Sequence, residues 1–121
     1  MVYTAGSLAL AALEVLVHLD GPQLLHSYVQ IPVEFDQGLC RELNLNSLPG
    51  DWSGNPASDW TRNAGSQWVA SHDSAVLAVP SAVVPDEVIY LLNPGHSDFP
   101  ALRIGRPASF HFDSRLIKSL S

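Results

Sequence analysis

The sequence predicts a single domain with an α+β fold. Its 121 residues are enough for one hydrophobic core, and its composition is that of a globular chain, with 46% hydrophobic and 15% charged residues. The clearest helical pattern lies near the N-terminus, whereas strand patterns dominate the second half of the chain. This order of elements is typical of α+β proteins rather than of regular βαβ units.

The chain opens with a strand and a helix. Residues 1–5, MVYTA, are rich in β-branched and aromatic side chains, which favour a strand. Ser7 is well placed to accept a backbone N–H at the start of a helix that runs to about Leu19. Gly21-Pro22 then ends that helix, because proline cannot continue it.

The middle of the chain alternates in polarity and then becomes rich in turn residues. Residues 27–35, SYVQIPVEF, predict a strand, and Pro32 places it at a sheet edge because proline has no N–H to donate. Residues 44–59 are crowded with Asn, Ser, Gly and Pro, which predict turns. A short helix is expected over 65–72.

Strand patterns follow to the end of the domain. The segment AVLAVPS, 75–81, predicts a buried strand, and EVIYLLNPG, 87–95, predicts another that ends at its Asn-Pro-Gly turn. Residues 102–106 and 109–112 predict a final strand pair.

Charge and cysteine content exclude several classes of protein. The formal net charge is −6 and the six basic residues are scattered, so we expect no direct binding to nucleic acid. Cys40 is the only cysteine, which rules out an intramolecular disulfide and suits a reducing cytoplasm. The first twenty residues lack the basic start of a signal peptide, and no uncharged apolar run reaches the roughly 18 residues of a membrane span. We therefore expect a soluble cytoplasmic domain.

Few local motifs point to chemistry. The five histidines show no paired metal-ligand spacing, so we expect no metal site. Ser81 follows a predicted strand but lacks the G-x-S-x-G motif of a nucleophile, and its simplest interpretation is a hydroxyl that bonds local backbone groups. The phosphate-binding motifs G-x-G-x-x-G and G-x-x-x-x-G-K-[ST] are both absent from the sequence.

Glu14 is the one carboxylate in the first helix. It shares a helical face with Leu10 and His18, and the opposite face is equally apolar. Two interpretations stay open at this point. In the first, Glu14 is structural and either lies at the rim of the core or pairs with His18. In the second, it is held at a cleft where a site uses its charge.

Four segments, in order, resemble the RES-domain toxins. They are VYTAGSLALAALEVLVH, VQIPVEFD, VPSAVVPDEVIYLLNPGHSDF and FHFDSRL, and the resemblance covers nearly all of residues 1–121 as one domain. These toxins form bacterial toxin–antitoxin pairs with an Xre-like helix-turn-helix antitoxin. The resemblance implies an ADP-ribosyltransferase-like fold of small mixed sheets and short helices. It also implies that NAD is degraded as substrate at its nicotinamide–ribose bond, by phosphate or water, with no resident cofactor.

The resemblance also suggests site residues. The family glutamate matches Glu14, and the family serine matches Ser81, so both are expected to be catalytic. Tyr3 matches a pocket tyrosine near the nicotinamide ring, while Asn93 and His96 match a recurring segment and are assigned to NAD binding. We expect Tyr3, Glu14 and Ser81 to converge on one cleft.

The sequence departs from the family pattern at its start. The family arginine normally precedes the VYTA strand in a GRWN-like segment, whereas this chain begins at Met1. We therefore expect a domain that lacks the N-terminal part of the family fold, and that self-associates or depends on its partner. Two alternatives follow: an NAD-degrading toxin, or a catalytically inactive fragment that still binds the antitoxin.

Overall fold

The computed structural model describes residues 1–17, 28–43, 59–113 and 115–118. Strands and helices are mixed along this part of the chain, so the predicted α+β class is confirmed. In chain order the elements are β1 (Val2–Ala5), α1 (Leu8–Val17), β2 (Tyr28–Gln30), β3 (Val33–Glu34), β4 (Cys40–Glu42), α2 (Asp59–Ser71), β5 (Val76–Pro80), β6 (Val88–Leu92), β7 (Arg103–Ile104), β8 (Ala108–Phe110) and α3 (Arg115–Lys118).

A four-stranded sheet forms the centre of the fold, in the order β1-β6-β5-β4. β6 runs antiparallel to both β1 and β5, whereas β4 runs parallel to β5. The two central strands, VLAVP and VIYLL, are apolar along most of their length because side chains pack on both of their faces. The predicted strands over 1–5, 75–81 and 87–92 are therefore confirmed.

The two faces of this sheet carry separate hydrophobic clusters. On one face, Leu10 of α1 and Trp68 of α2 pack with alternate strand residues Leu77, Ile89 and Leu91. On the other face, the buried residues are Ala75, Val76, Leu92 and Leu102, with half-buried aromatic side chains packed against them. The strand alternation thus divides the core into two layers.

α1 begins where the sequence predicts it to begin. The Ser7 hydroxyl accepts the Leu10 N–H at 3.1 Å, and the Ser7 carbonyl accepts the Ala11 N–H at 3.0 Å. This is the predicted N-cap, which satisfies an N–H that the helix itself cannot bond. The predicted helix end at Leu19, the Gly21-Pro22 stop and the turn region over 44–58 lie outside the described residues.

The strand predicted over 27–35 is divided at Pro32. β2 pairs with β8, whereas β3 pairs with β7. Between them the Pro32 carbonyl accepts the Gly105 N–H at 2.7 Å, and Pro32 itself donates nothing. The predicted pairing of the last two strands with each other is therefore wrong, because each takes a partner from the middle of the chain.

Two further elements differ from the prediction. α2 spans 59–71 instead of 65–72, so it includes six residues that precede the predicted helix. β4 was not predicted as a strand, and it pairs in parallel with β5 at the edge of the central sheet. Among the described helices, none has the length and apolar character needed to cross a membrane.

Candidate functional site

Glu14 and Ser81 are in direct contact. The Ser81 hydroxyl donates to Glu14 Oε1 at 2.7 Å, although 67 residues separate the two in sequence. α1 packs through Leu10 on one face of the sheet, and Ser81 follows β5 two residues after Val79, which faces the same side. The packing of α1 across the sheet therefore brings the carboxylate to the end of β5.

Every hydrogen-bonding position of the Ser81 hydroxyl is used. Ser81 is 0% exposed, and its oxygen accepts the backbone N–H groups of Val83 at 3.1 Å and Val84 at 3.0 Å. A serine hydroxyl has one hydrogen to donate and two lone pairs. Its hydrogen is directed at Glu14 and its lone pairs are occupied by the turn that follows β5.

Within the described residues, one oxygen of the Glu14 carboxylate is hydrogen-bonded and the other is not. Glu14 is half-buried, and Oε1 takes the Ser81 hydrogen bond. Within the described part of the chain, Oε2 accepts no hydrogen bond and Glu14 forms no ion pair. His18, the other partner considered from the sequence, lies outside the described residues. The carboxylate is thus oriented by a neutral donor through Oε1, and no other described residue bonds it.

A groove of about 480 Å³ lies beside α1. It runs between β1 and the segment 28–33, and α1 contributes the small side chains of Ala11 and Ala12 to its wall. None of the described residues that line this groove is charged. A concave, largely apolar surface of this size is typical of a small-molecule site.

Three aromatic side chains that contact one another form part of the groove wall. Phe110 and Phe112 meet edge to face with ring centroids 4.8 Å apart, and Tyr28 meets Phe112 in the same way at 5.7 Å. No local motif in the sequence marks these three rings as site residues. The alternation of FHF and the tyrosine of SYVQ were the available signals, but the pairing of β2 with β8 is what brings them together.

Tyr3 lines the groove, whereas Glu14 and Ser81 do not. Tyr3 is 66% exposed and pairs with Leu91, so it lies on the face of the sheet that carries α1. Glu14 follows Ala11 by three residues and thus lies within about 60° of this lining residue around the helix. Of the three residues expected in one cleft, Glu14 and Ser81 contact each other directly, whereas Tyr3 lines the neighbouring groove.

Asn93 and His96 lie in the turn after β6, and neither lines the groove. Asn93 is buried, donates to the Val69 carbonyl at 3.4 Å and accepts the Gly95 N–H at 3.0 Å. His96 Nδ1 accepts the Asp98 N–H at 2.9 Å. These contacts stabilise the turn itself and connect it to α2.

The ionisable groups give no sign of a metal centre or a reactive thiol in the described residues. Within 1–17, 28–43, 59–113 and 115–118, no three His, Cys, Asp or Glu side chains are grouped as metal ligands. Burial raises the pKa of the Cys40 thiol above its usual value of 9.0, and the Glu42 carboxylate adds to this effect. A thiol with a raised pKa is a poor nucleophile near neutral pH, because little of it is thiolate.

Comparison with known proteins identifies the family. The family model described as the RES domain matches residues 1–113. A protein of Photorhabdus laumondii named "Toxin Res" is 37% identical, covering 98% of this chain and 76% of the relative. A "Toxin Res" of Yersinia enterocolitica is also 37% identical, over 95% of this chain and 76% of the relative. A "Prs ADP-ribosylating toxin" of a Sphingobium species is 33% identical, over 98% of this chain and 75% of the relative.

Proposed function

The chain belongs to the RES domain family, and from this premise we propose that it is a bacterial toxin that depletes NAD by cleaving the nicotinamide–ribose bond. The relative named as an ADP-ribosylating toxin supports this bond as the target. Transfer of ADP-ribose from NAD breaks the same bond, whether the acceptor is a protein, water or phosphate. NAD is then the substrate, and no resident cofactor is required.

Glu14 is the proposed catalytic residue. When the bond from ribose C1′ to nicotinamide breaks, the electron pair leaves with the neutral nicotinamide and positive charge develops on the ribose. A fixed carboxylate stabilises that charge, and Glu14 Oε2 is available for this role. An oxygen of phosphate or water then forms the new bond to C1′, and in the case of water one proton passes to the solvent.

The groove beside α1 is the proposed binding site for one ring of NAD. Its volume of about 480 Å³ falls in the range of small-molecule sites, roughly 300–1,000 Å³. Tyr3 and the other aromatic side chains of the groove offer surfaces on which a flat ring packs well. The described lining residues carry no charge, which suits a flat ring and its ribose better than an anionic group, so we expect the pyrophosphate to lie outside the groove.

The observation that carries the proposal is the 2.7 Å hydrogen bond between Ser81 and Glu14 at the flank of this groove. It joins the two residues that match the family glutamate and serine. Glu14 is half-buried and has no cationic partner among the described residues, which fits a carboxylate whose charge a site uses. Asn93 and His96 have their contacts within their own turn, so we propose for them a structural part in the site and no direct contact with NAD.

The test is release of nicotinamide from NAD by the purified chain, measured by chromatography with and without phosphate. We expect Glu14→Gln to lower the rate at least about 100-fold, because the amide keeps the size but loses the charge. Glu42→Gln is the matched control, because Glu42 is an exposed carboxylate on β4, the edge strand farthest from β1. This variant should keep the parent rate. ADP-ribose as product would indicate water as acceptor, and a phosphorylated ADP-ribose would indicate phosphate.

A wild-type chain that releases no nicotinamide would contradict the proposal and favour an inactive protein that only binds its antitoxin. The proposed partner in either case is an Xre-like helix-turn-helix protein in the cytoplasm. We propose that this partner covers the mouth of the groove and stops NAD from entering. Its addition should therefore suppress nicotinamide release by the active chain.

A further inference from the structure

We propose that Ser81 is a positioning residue that orients the Glu14 carboxylate, and that it is neither a nucleophile nor a group that contacts the substrate. The inference rests on the proposed function of Glu14. It changes the role expected for Ser81 from the sequence, where the hydroxyl was taken to be catalytic. The evidence is the set of hydrogen bonds around one buried oxygen atom.

The backbone fixes the direction in which Ser81 donates. Val83 and Val84 N–H groups approach the hydroxyl oxygen at 3.1 and 3.0 Å, so its lone pairs are occupied and its hydrogen is directed away from them. The hydrogen is then directed at Glu14 Oε1, at 2.7 Å. With 0% exposure, the oxygen has no open path to a substrate carbon.

The turn that supplies these N–H groups is itself held in place. The Ser81 N–H donates to the Glu87 carbonyl at 2.9 Å, and the Glu87 N–H donates to the Val84 carbonyl at 2.8 Å. Pro80 and Pro85 flank the turn and restrict its backbone, because their rings fix φ. The hydroxyl is thus attached to the end of a central strand and not to an open loop.

A neutral donor suits this role better than a cation would. Glutamate has several rotatable bonds, and a carboxylate must be held in one orientation to act on a developing charge. An arginine or lysine in the place of Ser81 would orient the carboxylate but would also neutralise it. A hydroxyl holds Oε1 and leaves the negative charge available through Oε2.

The test compares kinetics and stability in four proteins: wild type, Ser81→Ala, Glu14→Gln and the double variant. We expect Ser81→Ala to lower kcat for nicotinamide release by about 10- to 100-fold with KM nearly unchanged, because a misdirected carboxylate still permits binding. In the Glu14→Gln background, loss of the hydroxyl should cost no further activity. Such non-additivity is what a residue that acts only through Glu14 produces.

Ser74→Ala is the matched control. Ser74 is also buried, accepts the Trp68 indole N–H at 2.8 Å and donates to the Val76 carbonyl at 2.7 Å, but it does not contact Glu14. We expect it to lower the unfolding midpoint as Ser81→Ala does, while kcat at a temperature where the protein is folded stays at the parent value. Ser81→Cys, which keeps the size and donates weakly, should fold and give an intermediate kcat.

Two results would overturn the positioning role while the proposed function stands. One is full activity in Ser81→Ala, or losses in Ser81→Ala and Glu14→Gln that multiply in the double variant. The other is an ADP-ribosyl group found on Ser81 by mass spectrometry after reaction with NAD. If the wild-type chain releases no nicotinamide, the proposed function itself is overturned and the positioning role with it, so the two failures are distinguishable.

Discussion

Glu14 stands in a helix whose other nine described residues are all apolar, and its contact with Ser81 explains why a carboxylate is tolerated there. The apolar pattern of the helix left both a rim position and a cleft position open for this carboxylate. A partner 67 residues away is not visible in local periodicity. Only the resemblance to a family pointed to Ser81, and the sequence could not tell whether its hydroxyl acts directly or through Glu14.

Cys40 gives a prediction at the same scale, from the direction of its pKa. Burial and the Glu42 carboxylate raise the pKa of the folded thiol above the usual 9.0. The unfolded chain therefore loses the thiol proton at a lower pH than the folded chain does. The contribution of Cys40 to the free energy of unfolding is thus present below about pH 9, and it is lost as the pH rises through the pKa of the folded thiol. We expect the urea midpoint to fall more between pH 7 and pH 10 in wild type than in Cys40→Ser. Equal losses in the two proteins would show that the thiol does not contribute.

At the scale of elements, the sequence predicts the strands and the helix start that have a clear local pattern. β1, β5, β6 and the Ser7 cap follow from apolar runs and from a side chain that bonds its own helix. β4 was missed because two of its three residues are charged and exposed, as an edge strand permits. The division of residues 27–35 was missed because it depends on partners from the end of the chain, which no local pattern specifies.

The close approach of Gly105 to Pro32 gives a prediction for these short strands. A Cβ at position 105 would lie 2.6 Å from Pro32 Cγ and 3.2 Å from the Pro32 carbonyl oxygen, so one of the two segments would have to move. We expect Gly105→Ala to lower the free energy of unfolding by about 1–3 kcal/mol, measured by urea denaturation.

Gly38→Ala is the control for this substitution. A Cβ there would meet nothing within 4 Å, so we expect no loss and at most a gain of about 0.4–1 kcal/mol from reduced freedom of the unfolded chain. Similar losses at both glycines would show that the contact with Pro32 is not what limits position 105.

At the scale of the molecule, one sheet supports two cores, and the Glu14 carboxylate lies on the side of only one of them, although Val33, Phe35 and Tyr90 of the groove pack against the other. α1 lies on one face with Glu14, while β3 and the turn before β7 pack on the other. β5 and β6 contribute residues to both clusters. A large-to-small substitution in either core should therefore destabilise the whole domain. A substitution on the α1 side should also displace the Glu14 carboxylate.

Leu10→Ala and Leu102→Ala test this division. Both leucines are buried, at 2% and 7% exposure, so each change should lower the free energy of unfolding by about 2–5 kcal/mol. Because β5 and β6 are shared, we expect a single unfolding transition for each variant in urea. At a temperature where both variants are folded, Leu10→Ala should lower the rate of nicotinamide release more than Leu102→Ala does, because Leu10 fixes the helix that carries Glu14. Two separate transitions, or an equal loss of activity in Leu102→Ala, would show that the two faces are not related to the site in this way.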